Sequence, residues 1–231
     1  MSALLEYQCR VPVDGYEIIT IEEPEPEPDD EGQVAVFGTR RFLQPRSERS
    51  RSFDLFKVSS SAYLEFAQTP DTPDAIKDFA DRYGALTPDV GTEPGRVSRE
   101  NIRTWSMYIQ DMKKIIELWT MSMETGDFGK IIRTVQKKLI DPAAFAPGVP
   151  VQLLLKEDPL SGSARLCIRP DSLLHALYSQ VLLAIDGNVN LGACVQCRKW
   201  FTLDAGQGRS DKQYCSNACR MRAYRKRKTS G

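Results

Sequence analysis

The chain has 231 residues, 41% apolar and 27% charged, with 31 Lys/Arg against 31 Asp/Glu. These proportions exclude a fibrous repeat or wholesale disorder, and the length predicts one sizeable core plus a small appendage. The start Met1-Ser2-Ala3-Leu4-Leu5-Glu6 lacks the basic and apolar regions of a signal peptide, and the longest uncharged helical run, Ser172 to Ile185, is too short to span a bilayer. A soluble, cytoplasmic protein with no membrane partner is therefore expected.

In chain order, Val11-Pro12-Val13 and Tyr16 to Ile21 predict a strand pair turned at Asp14-Gly15, and Val34 to Phe37 predicts a further strand. Between them, residues 22–31 carry seven carboxylates among alternating prolines, which fix φ while the charges repel. This segment reads as a solvated loop, or alternatively as an acidic mimic that masks a basic surface elsewhere in the chain. The basic stretch with Arg40, Arg41, Arg46, Arg49 and Arg51 reads as a solvated loop, with a nucleic-acid arm as the alternative. From Ser59 the pattern turns helical. Thr72 caps a short helix with Pro73 at its first position, Ile76, Phe79 and Ala80 on one face, and Gly84 closing it.

Ser98 is the predicted cap of a longer helix in which Ile102, Trp105, Tyr108/Ile109, Met112, Ile115/Ile116, Trp119 and Met123 recur every three or four residues as a core stripe. Ile131, Ile132, Val135 and Leu139 continue as another amphipathic helix ending before Asp141-Pro142. Val151 to Leu155 and Ala164 to Ile168 predict a hairpin. Asp171 then caps a helix that runs through Leu173, Leu177 and Val181 to a Gly187-Asn188 stop. Only Asn188 to Leu191 remains as a linker before the C-terminal segment.

That segment carries four of the six cysteines, as Cys194-x-x-Cys197 and, seventeen residues later, Cys215-x-x-x-Cys219. Cysteines in a reducing compartment serve metals more often than disulfides, and two such pairs complete the tetrahedron that zinc adopts with thiolates. Lys199 to Leu203 and Lys212 to Tyr214 predict a hairpin turned at Gly206-Gln207-Gly208. Ser216 caps a helix that presents Cys219 back to the metal. The result is a treble-clef-like zinc finger with one structural Zn²⁺, and with no ligand position left open for catalysis. Trp200, Phe201, Leu203 and Tyr214 are too few to fold about forty residues unaided, so the metal supplies the missing stability.

Residues 191–231 hold ten Lys/Arg against Asp204 and Asp211, so the remainder of the neutral chain is acidic in sign. Six of those cations, Arg220, Arg222, Arg225, Lys226, Arg227 and Lys228, fall within nine residues after the last cysteine. They surround a helix that suits a nucleic acid, DNA first and RNA second; a solubilising tail is the plainer alternative. An enzyme is not expected. The single histidine, His175, has no cysteine, serine or carboxylate at motif spacing, Cys9 and Cys167 read as apolar strand residues, and no phosphate-cradling glycine loop occurs.

The run Cys194-x-x-Cys197-Arg-Lys-Trp-Phe, with Tyr214-Cys215-Ser216-x-x-Cys219-Arg-x-Arg-Ala-Tyr-Arg, resembles the C-terminal finger of the CGNR family of bacterial stress-related transcription regulators. The close match covers about thirty residues, and Arg220-Met221-Arg222 stands where the family has Gly-Asn-Arg. Tyr63 to Ala67, Phe79 to Gly84 and Leu173 to Leu177 are similar in kind to the family's N-terminal domain. The resemblance implies a DNA-binding regulator whose N-terminal domain answers to a small-molecule or protein effector. The expectation is an α+β, helix-rich domain over 1–190 and a finger over 191–231. A non-enzymatic interaction module with a purely structural zinc finger is the second reading.

Overall fold

The structure, a computed structural model, describes residues 4–22, 39–87, 99–127, 129, 131, 133, 151–157, 164–187, 189–203 and 212–229. It is a mixed α+β protein with small sheets. Two compact units interleave along the chain. The first comprises 1–58, 69–110 and 150–176, and the second 59–68, 111–149 and 177–231.

In the first unit, β1 (Leu4–Leu5), β2 (Gln8–Pro12), β3 (Tyr16–Ile21), β4 (Arg40–Pro45) and β5 (Ser50–Asp54) lead into the single turn α1 (Leu55–Val58). β2 and β3 do not pair with each other as expected. β2 pairs antiparallel with β5, from Gln8↔Asp54 to Pro12↔Ser50, and β3 with β4, from Tyr16↔Pro45 to Ile21↔Arg40. The two ladders belong to separate small sheets that follow one another along the chain, with a register that slips by one residue between Val13, whose N–H donates to Arg49 O at 2.8 Å, and Gly15, whose carbonyl accepts from Arg46 N at 3.0 Å. An extra residue on one side bends the chain instead of reversing it. The basic stretch Arg40 to Arg51 is thus largely strand, with Leu43 buried, and not the loop its charge suggested. The expected strand at Val34 to Phe37 and the acidic segment beyond Glu22 lie outside the described residues.

Gly15 is required at the bend on two counts. Its φ is +70°, and a Cβ there would stand 2.7 Å from Asp81 Oδ1. Asp81 belongs to α3 (Pro73–Tyr83), which lies on β2 and β3; it accepts from Tyr16 N at 2.7 Å and pairs with Lys77 Nζ at 2.5 Å. The predicted caps of α3 are present. Thr72 Oγ1 accepts from Ala75 N at 3.3 Å, and Gly84 ends the helix at φ +99°.

β6 (Glu100–Asn101) joins β4, and α4 (Ile102–Thr125) follows it directly. The cap of α4 is Asn101, not Ser98: the strand runs up to the helix, and Asn101 Oδ1 accepts from Arg103 N at 2.8 Å. Ile102, Trp105, Ile109, Met112, Ile115, Ile116 and Trp119 are buried along α4 as the stripe predicts, while Tyr108 and Met123 are half-buried. Glu100 holds the entrance by accepting from Leu86 N, Thr87 N, Thr87 Oγ1 and Trp105 Nε1 at 2.6–3.0 Å. Phe79 meets Trp105 edge-on, with ring centroids 6.2 Å apart, inside the same core. Ile131 is buried, while Ile132, Val135 and Leu139 fall outside the described residues.

β7 (Val151–Glu157) and β8 (Ala164–Pro170) form the expected hairpin, and β1 adds to β8 in parallel. The helix that follows begins at Leu173, one step later than a cap at Asp171 requires. Ser172 is the cap, its Oγ accepting from His175 N at 3.1 Å.

In the second unit, α2 (Ala62–Ala67) is held by α5 (Leu173–Asp186) through the buried Gln180. Its Oε1 accepts from Tyr63 N at 3.2 Å and its Nε2 donates to Ser59 O at 2.6 Å. The amide thus satisfies backbone groups that burial would otherwise leave unpaired. No described helix is long and apolar enough to cross a membrane.

Candidate metal centre and basic helix

Beyond α5, residues expected to be linker and knuckle form a hairpin. β9 (Asn190–Ala193) pairs antiparallel with β10 (Trp200–Leu203), from Trp200↔Ala193 to Leu203↔Asn190. The predicted partner of β10, Lys212 to Tyr214, is not a strand, and Gly206-Gln207-Gly208 lies outside the described residues. Hairpin closure instead falls on the first cysteine pair. Cys194 N donates to Lys199 O at 2.9 Å, and Arg198 N to Cys194 O at 2.8 Å. Arg198 takes φ +62°, the one non-glycine residue in the left-handed region among those described. The tight reversal turns Cys194 and Cys197 toward one point.

The second pair arrives on α6 (Asn217–Thr229). Ser216 caps this helix as predicted, its Oγ accepting from Cys219 N at 3.3 Å, which fixes Cys219 in the first turn. Val195 N donates to Gln213 O at 3.0 Å and ties the knuckle to the segment that leads into Cys215.

The four sulfurs lie within 4.8 Å of one another, with Cys197–Cys215 and Cys215–Cys219 each at 3.6 Å. A tetrahedral ion with ~2.3 Å bonds sets its thiolates about 3.8 Å apart, so the donor set and spacing fit a metal ion. The electrostatics agree. Burial opposes ionisation of Cys194, but the amides of Cys215, Cys197 and Gln196 donate toward its sulfur and bring the thiol down to about 6. Cys215 is pushed up to about 12 by burial and by its contacts with Cys197, Cys219 and Cys194. Four thiolates this close ionise together only against a cation.

Cys194, Phe201 and Cys219 are the buried centre of this region, with Leu203, Tyr214, Cys197 and Cys215 packed round them; Trp200, expected there, is only half-buried and outside the cluster. Gly192 makes room for it, since a Cβ would stand 3.1 Å from Phe201 Cζ. Lys212 Nζ lies 5.2 Å from the centroid of the same ring, a cation–π contact.

From Arg220 to Lys228 α6 has no buried side chain. Arg220, Arg222, Arg225, Lys226, Arg227 and Lys228 are all exposed and the helix carries no acid. One pairing elsewhere was not expected from the sequence: His175 does have a carboxylate partner, Asp171, whose Oδ1 meets its Nδ1. The four-residue spacing across a helix start was the available signal. The ring is buried. No protein-family model matches the chain, and no curated protein matches it.

Proposed function

We propose that this protein is a non-enzymatic, zinc-finger nucleic-acid-binding protein, a transcription regulator of the bacterial type that its finger resembles, with DNA as its partner. Zinc is the ion of choice for four cysteine ligands in a closed tetrahedral site, and its role there is structural. Bound zinc would hold the β9–β10 hairpin and the first turn of α6 together through Cys194, Cys197, Cys215 and Cys219.

The observation that carries the reading is the pairing of a fixed helix start with an exposed remainder rich in cations and free of acid. Cys219 anchors α6 to the cluster, and six cations in nine residues then face solvent with no acid among them. A finger that only completed a fold would have no use for such a run. Each phosphate neutralised releases counterions, so binding of the full-length, zinc-loaded protein to a mixed-sequence DNA duplex should weaken steeply with added salt. Replacing Arg220 and Arg222 by Ala together should flatten the plot of log affinity against log salt by roughly one unit for each phosphate no longer neutralised. An unchanged slope would favour the interaction module instead.

A further inference from the structure

Exposure round α6 is not uniform in chemistry. At about 100° per residue, Met221 and Tyr224 lie about 160° and 140° from Cys219, on the side of the helix facing away from the sulfur cluster. Both are large, apolar and exposed, at 45% and 54%. Arg220 and Arg222 stand about 100° to either side of Met221, and Arg225 about 100° beyond Tyr224. The outer face therefore presents Met221 and Tyr224 first, with Arg220, Arg222 and Arg225 along its borders and Lys228, about 180° from Cys219, continuing it toward the C-terminus, a pattern that neither a solubilising tail nor a uniform phosphate clamp requires.

We infer that α6 reads B-form DNA from the major groove, with Met221 and Tyr224 against thymine methyl groups at the base edges and Arg220 and Arg222 on the phosphates to either side. The inference rests on the nucleic-acid function proposed above and names the substrate and the reading residues of that same helix. A helix with its side chains is about 10–12 Å across, and the B-form major groove is about 12 Å wide. The thirteen residues of α6 span about 20 Å, long enough to follow the groove for several base pairs. Within the groove, base edges meet the outermost side chains and phosphates flank them. The thymine methyl is the apolar feature available there, while arginines on both flanks match the two phosphate rows. The A-form RNA major groove is too deep and narrow for the same approach. The anchored first turn supplies the fixed angle of entry that reading requires.

The test begins with selection of duplexes from a randomised library by the full-length, zinc-loaded protein, followed by affinity measurements on the enriched sequence. Three probes are compared: the DNA duplex, the same duplex with uracil for thymine, and the RNA duplex of that sequence. Uracil substitution removes the methyl groups alone and should cost about fourfold per methyl group touched. Met221→Ala with Tyr224→Ala should lower affinity for the thymine duplex to a similar extent and abolish the difference between the thymine and uracil probes. Tyr224→Phe should keep that difference. The substitutions are on an exposed helix face and alanine favours helix, so metal content should be unchanged; it is measured to show that the finger remains folded.

Salt-dependent binding without an enriched sequence, or a thymine preference that survives the double substitution, overturns the reading face and leaves the proposed function standing. Equal or tighter binding of the RNA duplex overturns the choice of B-form DNA. Absence of binding to every probe overturns the proposed function as well.

Discussion

Cys9, in β2 of the first unit, and Cys194, in the knuckle of the second, are both fully buried. Their thiols nonetheless move in opposite directions. Burial, helped by the charge of Asp54, pushes Cys9 up to about 12, whereas at Cys194 amide donors outweigh burial and bring the thiol down to about 6. Burial alone therefore does not set a thiol's direction; at Cys194 the amide donors decide it, while Cys215 in the same cluster is pushed up to about 12 as Cys9 is, so the cluster is distinguished by four sulfurs brought together. The same contrast separates what holds each region. The first unit buries Tyr16, Leu43, Phe79 and Trp105, while among the described residues of the finger the large buried side chains are Leu191 and Phe201, and the sulfur cluster does the rest.

The largest effect expected from breaking this contrast is at the cluster. Protein purified without chelator should contain close to one zinc per chain, and Cys215→Ser should reduce that to near none, melting the finger while α3 and α4 keep their circular-dichroism signal. Full zinc content in the variant would mean that the cluster is not the metal site. Next in size is Trp105→Ala, which opens a cavity in the apolar core and leaves Glu100 Oε2 with Leu86 N as its remaining donor. It should cost about 3–5 kcal/mol in urea unfolding while zinc content stays unchanged. Loss of zinc along with stability would show that the two supports are not separate.

The smallest effect is on pH dependence. A thiol that keeps its proton in the folded state up to about 12 but ionises near 9 when unfolded contributes stability fully present below pH 9 and lost as pH rises toward 12. Between pH 9 and 10 the stability of Cys9→Ala should accordingly decline less steeply than that of the unaltered protein. Equal slopes would place the alkaline loss in other groups.

What could be read in advance was local. Thr72, Pro73 and Gly84 mark α3 because caps act within one turn, and Ser216 with Cys219 does the same for α6. The four cysteines were legible because ligand spacing is itself a short-range pattern. Pairing over distance was not. Nothing near Asp14-Gly15 reveals that its flanking strands find their partners in Arg40–Pro45 and Ser50–Asp54, across the acidic segment. Asn190 and Leu191 resemble a linker until Trp200 to Leu203 comes back alongside them. Ser98 and Asp171 are reasonable caps by composition, but they lost to Asn101 and Ser172, each adjacent to the first helical residue.

The amide groups that fasten α2 carry a consequence for biosynthesis. Tyr63 waits for Gln180 across 117 residues, and Gln68, whose Nε2 donates to Trp200 O at 3.3 Å, waits for its acceptor across 132. Translation at about 5–20 residues per second leaves this short segment without those partners for several seconds, until the hairpin beside the cysteines has left the ribosome. Closing loops of that length is slow compared with helix formation, so the second unit completes late in the order of synthesis. A fragment confined to residues 191–231 would lack Gln68 altogether, and the carbonyl of Trp200 would turn to water.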